Sequence, residues 1–211
     1  MKKLLTTACI ACIMGAGLAS CNGNAASAEA QKSDSGSNAA GVVIENIMTR
    51  KSIRQFTDQP VAKDTLDLLV KAGMAAPSAR NAQPWAFVVV DEKAMLDSLN
   101  AVHEHANLKT ATAAIIVCGD TKVAADKEIG EFWVQDCSAA TENILLAAHG
   151  CGLGAVWCGV YPVEERVKAV SGVLGLPENV VPLNIITLGW PDENPEVKDK
   201  YDKAKIHYNK W

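Results

Sequence analysis

Apolar residues recur along most of the chain at the spacings of regular secondary structure. Apolar side chains three or four residues apart predict helices, around 43–48 and over 64–76, 92–104, 132–148 and 163–173. Short apolar runs bounded by Gly, Pro or polar residues predict strands, over 85–90, 113–119, 155–160 and 180–188. About four strands among five or six helices favour a single α+β domain.

The N-terminal residues follow a different pattern. Two lysines precede an apolar run over residues 4–18, which is too short for a comfortable membrane span and ends in Leu-Ala-Ser-Cys. This arrangement is typical of a secretory signal, and its last four residues resemble a bacterial lipobox. We therefore expect residues 1–20 to be a lipoprotein signal peptide and Cys21 to be the lipidated first residue of the mature protein. An ordinary cleavable signal with an incidental cysteine is the alternative.

A polar segment separates this signal from the first helical periodicity. Residues 21–41 are rich in Ser, Ala, Asn and Gly and carry almost no bulky apolar side chain to offset the entropy of ordering them. We expect a flexible tether there and a folded domain over residues 42–211. The protein would then be exported and lipid-anchored to a bacterial membrane, on the periplasmic or outer-surface side.

Composition narrows the partners and the metal chemistry. The 211 residues carry a formal net charge of -4, which gives no electrostatic reason to expect nucleic acid. The predicted domain has four cysteines, and no CxxC or Cys/His cluster has zinc-like spacing, so no metal site is expected. A bridge between Cys151 and Cys158 stays open, because spacing alone cannot establish disulfide geometry.

Cations and a hydroxyl are concentrated just after the first predicted helix, in residues 50–54, the cationic segment. Such a run is most often a solvated surface. It also offers what a phosphate dianion binds: guanidinium groups and short hydroxyl or backbone donors. The residues of interest are Arg50, Lys51, Ser52 and Arg54.

Polar amides follow the second predicted helix in residues 77–83, the amide loop. Proline at 77 and 84 would stiffen this loop, and Asn81 and Gln83 each offer a donor and an acceptor suited to the edge of a planar heterocycle. A plain connector that ends the helix and turns the chain is an equally good interpretation.

Glycines punctuate residues 150–159, the glycine-rich segment. They follow a helix and precede a strand, which is the reverse of the order in a dinucleotide-binding fingerprint, so a Rossmann site is rejected. Glycines here would instead let the backbone approach a flat ligand closely and leave amide N–H groups free to donate to it.

These three segments, together with Gly-Trp-Pro at 189–191, resemble the nitroreductase family in order and spacing, from about residue 42 to the C-terminus. The resemblance implies an α+β fold with a mixed sheet of about four to five strands surrounded by helices. It also implies FMN bound at the interface of a homodimer, in a cleft that each subunit completes for the other.

Residues 189–211 lack a long apolar run, and we expect them to form a C-terminal arm over the surface or onto a partner. The resemblance assigns roles within the cationic segment and within residues 203–211 of this arm. Arg50 and Ser52 would contact the FMN phosphate and ribityl chain, with Lys51 among the cofactor contacts, and Lys205 would reach the phosphate. Arg54 would lie beside N1 and the C2 carbonyl of the ring. Hydride arriving at N5 leaves negative charge at that edge, so a fixed cation there stabilises reduced flavin.

The resemblance also places the other two segments around the ring. Asn81 and Gln83 would bind its polar edge, while Pro77 and Ser78 would border the flavin from the partner subunit. The backbone near Cys158 and Gly159 would approach N5 of the ring.

The implied activity is NAD(P)H-driven, ping-pong reduction of nitroaromatic, quinone or similar small acceptors. The flavin carries the chemistry, so no catalytic side chain is expected, in keeping with the lack of a recognisable triad or acid pair. Alternatives are a membrane-tethered flavin-binding module without turnover and a flavin-fragmenting or dehalogenating relative. Export would separate the enzyme from cytoplasmic nicotinamides, which leaves the electron donor open.

Overall fold

The computed structural model describes residues 35–124 and 130–211, which contain five α-helices and four β-strands. The helices are α1 Ser35–Thr49, α2 Lys63–Met74, α3 Lys93–Val102, α4 Trp133–Gly150 and α5 Glu164–Leu174. The strands are β1 Trp85–Val90, β2 Ala113–Asp120, β3 Gly154–Gly159 and β4 Val180–Gly189. The predicted signal peptide 1–20 and Cys21 lie outside the described residues.

The strands form one sheet in the order β1-β2-β4-β3. The α+β class is confirmed, but neighbouring strands are all antiparallel in the described part of the chain, so the sheet is not the expected mixed one. Parallel pairing occurs there only as an isolated bridge between Ser52 and Ala155, outside the four strands. β2 and β4 are the central strands, and burial of β2 from Ala113 to Gly119 explains the continuous apolar sequence there.

Helices cover both faces of the sheet. α2 and α4 pack on one face through side chains such as Leu69 and Ile144, and α3 and α5 pack on the other through Leu99 and Val170. Gly73 lets α2 approach α4 closely, since a Cβ there would lie 2.9 Å from Cδ1 of Ile144. The site described below therefore rests on a sheet that is packed from both sides.

α1 begins at Ser35, inside the segment 21–41 expected to be a flexible tether, so the last seven residues of that segment are helical. Alanines in this stretch have high helix propensity. Apolar side chains of α1 are between 46% and 63% exposed, namely Val42, Val43, Ile44, Ile47 and Met48. No helix in the described ranges has the combined length and apolar character needed to cross a membrane.

Candidate functional site

The cationic segment lies along the outer edge of β3. Ile53 donates its backbone N–H to Ala155 O at 3.0 Å, beside the parallel bridge from Ser52. Gly154 makes this approach possible, because a Cβ there would lie 2.7 Å from Cγ2 of the buried Ile53. We expected the glycines here to admit a flat ligand. At Gly154 the space is filled by Ile53 instead, and packing is the reason for glycine.

Residues 190–195, which we call the strap, run beside the chain that follows the cationic segment. Thr57 donates its N–H to Trp190 O at 2.9 Å. An antiparallel bridge joins Phe56 to Pro191. The first residues of the C-terminal arm are therefore hydrogen-bonded to the chain just after the cationic segment.

A cleft of about 960 Å³ opens beside the cationic segment. Pockets for small molecules measure roughly 300–1,000 Å³, so this one could hold a sizeable ligand. Its lining carries five cationic and three anionic side chains, an excess of two positive charges. The cleft is lined by Ile47 and Met48 of α1, by Arg50, Lys51, Ser52 and Arg54, by Glu142 of α4, and by residues 195–201.

Arg50 is held against α4 at one wall of this cleft. Its Nε lies 3.3 Å from Glu142 Oε1, and its side chain is 19% exposed. At the same junction His149 Nε2 lies 3.0 Å from Thr49 Oγ1. The hydroxyl of Thr49 donates its only proton to Glu45 O at 2.6 Å, so His149 is the donor in its own bond. Burial, and then the charge of Arg50, lower the pKa of His149 below its ordinary value of 6.5.

The other two cations of the segment differ in how they are paired. Lys51 Nζ donates to Asn194 Oδ1 at 2.5 Å and to Pro195 O at 2.6 Å, so hydrogen bonds to the strap hold this ammonium group. Arg54 is exposed, and its guanidinium has no hydrogen bond or ion pair within residues 35–124 and 130–211. Arg54 is thus the cation of this segment that remains available to an anionic group.

The end of β3 offers an edge near Arg54. Cys158 is buried, and its thiol donates to Ala106 O at 3.3 Å. Burial raises the pKa of this thiol, while hydrogen bonds with Asn107 and Thr187 and the charge of Arg54 act against that rise. Because Ser52 bridges Ala155 in the parallel direction, the chain from Ser52 to Arg54 runs alongside β3 towards this end.

Gly159 ends β3 beside open space, since a Cβ built on it would meet no atom within 4 Å. Its carbonyl oxygen lies 3.0 Å from His103 Nε2 and accepts from Arg166 at 3.3 Å. Because the carbonyl can only accept, His103 carries its proton on Nε2. Burial is the main cause of the lowered pKa of His103. Two side chains thus fix the peptide at the strand end.

The amide loop lies outside the residues that line the cleft, and its polar groups bind one another. Gln83 donates its N–H to Ser78 Oγ at 2.9 Å and its side-chain amide to Asn81 Oδ1 at 3.0 Å. Ala79 donates its N–H to Oδ1 of the buried Asp136 on α4 at 2.9 Å. The loop is therefore an ordered structure anchored to α4.

The backbone of this loop is strained. Arg80, Asn81 and Gln83 have φ values of 50°, 56° and 51°. The left-handed region costs a residue with a Cβ roughly 1–2 kcal/mol, so three such residues in one loop are unusual. Pro77 and Ser78 precede them and, like Asn81 and Gln83, are not brought to Arg54 within one chain.

Lys205 is not among the residues that line the cleft of its own chain. It ends a short 3-10 turn, Lys203–Lys205, and its Nζ lies 3.7 Å from Asp202 Oδ2. Its side chain is 80% exposed.

The cysteines of the domain are all free thiols, so the bridge left open between Cys151 and Cys158 is not formed. Cys151 is exposed, whereas Cys118, Cys137 and Cys158 are buried. Burial raises the pKa of Cys118 and of Cys137 to about 12. No group of His, Cys, Asp and Glu suited to a metal ion occurs among the described residues.

Several residues of this site were missed by the sequence analysis. No distinctive spacing marks Glu142, residues 192–195 of the strap, or His103 and Arg166, which bind the Gly159 carbonyl. Except for Arg166, they act through partners more than 50 positions away in the chain, and only the fold reveals the pairs. Met48 and Ile47 were predicted as helical apolar residues, but not as lining of the cleft.

Comparison with known proteins places this geometry in a family. A family model described as the nitroreductase family matches residues 47–108 and 100–190. The chain belongs to the nitroreductase family. A nitroreductase relative from Methanothermobacter thermautotrophicus, provisionally named an NADH dehydrogenase/NAD(P)H nitroreductase, is 47% identical over 170 residues, which cover 80% of this chain and 87% of the relative.

Solved nitroreductase structures share the fold. A Bacteroides thetaiotaomicron structure, with the same provisional name, is 45% identical with a TM-score of 0.75, covering 81% of this chain and 98% of that one. An FMN-dependent nitroreductase from Clostridium difficile is 31% identical with a TM-score of 0.72, covering 80% of this chain and 99% of that one. The protein is accordingly an oxidoreductase of this family.

Proposed function

We propose that the protein is an FMN-dependent oxidoreductase that acts as a homodimer and uses NAD(P)H to reduce nitroaromatic, quinone or similar small acceptors. The observation that carries this proposal is Arg54, whose guanidinium has no partner within the described residues and which lines a cleft large enough for a cofactor. FMN, when bound, supplies hydride transfer, and the chain's own residues bind and orient it.

The phosphate end of FMN fits the cationic wall of the cleft. The excess of two positive charges in the lining matches the charge of a phosphate dianion. Glu142 fixes the Arg50 guanidinium at 3.3 Å, so its remaining N–H groups are oriented before a ligand arrives. Ser52 adds a hydroxyl at the same wall. These are the donors that phosphate recognition requires.

The ring end of FMN fits the region between Arg54 and the end of β3. Arg54 would hold positive charge beside N1 and the C2 carbonyl, where reduction places negative charge. β3 is the outer strand of the sheet, and the space beside Gly159 is open. Unpaired backbone groups on such an edge can donate to a flat ligand.

A second copy of the chain would complete the site. Ile47 and Met48 are both exposed apolar residues of α1 and lining residues of the cleft. A partner that covers α1 would therefore also close the cleft, with apolar burial as the driving force. The amide loop and Lys205, which do not line the cleft of their own chain, would then contact the cofactor from the partner subunit.

The acceptor and the donor would use one binding face in turn. An edge cleft closed by a second subunit leaves room for one flat molecule at a time on the flavin, which favours ping-pong turnover. The relatives named for NADH or NAD(P)H support a reduced nicotinamide as donor. Outside the site, we propose that residues 1–20 are removed and that Cys21 is lipidated, which would tether the enzyme to a bacterial membrane.

The test is spectroscopic. Protein lacking residues 1–21 should be purified yellow, with the absorbance of bound FMN, and should bleach under anaerobic conditions on addition of NADH or NADPH. A nitroaromatic or quinone should then restore the colour. A protein that stays colourless with added FMN, or that sediments as a monomer, would defeat the proposal. Lipid attachment is tested separately, by mass spectrometry of the N-terminal peptide of the membrane fraction.

A further inference from the structure

The strap carries an acidic side chain that binds the backbone of the cationic segment. Glu193 Oε1 accepts hydrogen bonds from the N–H groups of Arg54 and of Gln55, the latter at 3.2 Å. Successive N–H groups that point at one oxygen form a small anion-binding concavity. Hydrogen bonds of this kind are charge-assisted and stronger than neutral ones.

This contact fixes the residue that bears the unpaired cation. The backbone on the N-terminal side of Arg54 is tied to β3, because Ile53 donates to Ala155 O at 3.0 Å. Glu193 ties Arg54 itself, and Gln55 beyond it, to the strap. The Arg54 side chain has no partner of its own in the described ranges, so its direction depends on where these bonds hold its backbone.

The neighbouring acidic residue of the strap provides an internal control. Asp192 donates its backbone N–H to Gln55 O at 2.9 Å. Its carboxylate, in contrast, has no hydrogen bond or ion pair within the parts of the chain that the structure describes. Asp192 and Glu193 thus place similar charges close together, and Glu193 alone of the two binds the backbone of Arg54 through its side chain.

We propose that Glu193 is a positioning residue for Arg54, holding the cation at the edge of the flavin ring where reduction places negative charge. The proposal rests on the function proposed above, since it needs FMN in the cleft. Glu193 would then act on bound FMN in two opposite ways. The negative charge of its carboxylate, acting directly, disfavours reduced flavin. By holding the Arg54 guanidinium beside the ring, the same side chain favours reduced flavin.

The midpoint potential of bound FMN separates these two effects. The full chain should be loaded with FMN, and spectroelectrochemical titration and FMN fluorescence titration should compare Glu193→Ala, Asp192→Asn and the wild type. Asp192→Asn removes one anion, so we expect a small positive shift in potential and unchanged FMN affinity. Glu193→Ala also removes an anion, yet we expect a negative shift and FMN binding weaker by about tenfold.

Two further variants show whether the effect passes through Arg54. In an Arg54→Ala background, Glu193→Ala should cause no further negative shift. Glu193→Gln keeps an oxygen that can accept from both N–H groups, so it should restore most of the wild-type potential. Thermal unfolding of each variant is recorded, because a purely structural role for Glu193 would lower stability without moving the potential in the negative direction.

The possible outcomes are distinct. A potential for Glu193→Ala equal to that of Asp192→Asn, or a negative shift that persists without Arg54, overturns the positioning role and leaves the FMN proposal intact. Should Glu193→Ala not fold, Glu193→Asp is compared with the wild type instead: its shorter side chain keeps the negative charge but draws the oxygen away from the two N–H groups, so a negative shift is expected and an unchanged potential overturns the role. Failure of the wild type to bind FMN overturns both proposals.

Discussion

The cationic segment and the amide loop were singled out by the same sequence reasoning, but the fold treats them differently. The cationic segment is bonded to β3 on one side and to the strap on the other, and it lines a cleft of about 960 Å³. The amide loop binds itself and α4, away from the cleft lining. Under the proposed function, the cationic segment is the half of the site that one chain assembles, and the amide loop is the half that a second chain must supply.

The difference shows what each region needs. Strand pairing positions the cationic segment as soon as the sheet forms. The amide loop has its geometry from Asp136 and from internal amide bonds, and it reaches the cleft only if another chain brings it there.

The largest effect is expected from removing two cations that would meet the phosphate, one in the cationic segment and one in the C-terminal arm. Arg50→Ala combined with Lys205→Ala should give FMN-free protein, because two charge-assisted bonds, each about 1.5–3 kcal/mol, are lost. Affinity should fall by roughly 10²- to 10⁴-fold, measured by fluorescence titration. Arg50→Ala with Lys203→Ala is the matched control. Normal FMN occupancy in the first variant would refute the phosphate assignment.

The second subunit is tested on the exposed face of α1. Ile47→Asp should leave the fold intact but yield a monomer, because its carboxylate would be buried without a partner in an apolar interface. A buried charge without a partner costs about 3–5 kcal/mol. Light scattering measures the mass, and FMN should be lost with the dimer. Leu68→Asp, at an exposed apolar position of α2, is the control. A dimer of Ile47→Asp that retains FMN would place the interface elsewhere.

Substitutions at the glycines of β3 test whether the cationic segment needs glycine for its close packing against this strand. Gly154→Ala should destabilise the protein by about 1–3 kcal/mol, because the new Cβ would lie 2.7 Å from Ile53. Gly159→Ala meets no atom within 4 Å and should change stability by less than about 0.5 kcal/mol. Urea unfolding measures both. Equal stabilities would mean that Ile53 can move aside without cost.

The anchor of the amide loop should have a smaller effect. Asp136→Ala removes the acceptor for the Ala79 N–H and should cost about 0.5–1.5 kcal/mol, with faster proteolysis within residues 77–83. Asp136→Asn retains an acceptor oxygen and serves as the control. Identical proteolysis of the two variants would show that the loop is held by its internal bonds alone.

The smallest effect concerns pH at the junction of α1 and α4. The pKa of His149 is lowered in the folded protein by burial, by Arg50 and by Lys51, so the unfolded chain binds a proton more readily. The stability contribution is full above pH 6.5 and is lost as pH falls towards the folded pKa. His149→Gln should flatten that decline in acid, measured by thermal unfolding between pH 5 and 7.5. An unchanged slope would exclude His149 as its source.

Periodicity predicted the elements well where packing repeats along the chain. β1 matches its predicted bounds, and α4 begins at Trp133, one residue from the predicted start. The start of α1 was missed because the residues before Gly41 give no apolar period and, apart from Ala39 and Ala40, have low helix propensity. The antiparallel sheet was missed because strand direction leaves no trace in the pattern of a covered strand.

By itself, the sequence determined the α+β class, the succession of helices and strands, the residue types able to bind a phosphate and a flat ring, and the resemblance to the nitroreductases. These follow from local spacing and side-chain chemistry, which act over a few residues. Only the tertiary structure decided that Arg50 pairs with Glu142, that Lys51 is taken up by the strap, and that Arg54 alone of the three stays unpaired in the described ranges. Those pairings join residues about 90 to 145 positions apart, and such distances are closed by the packing of the sheet, not by any local pattern.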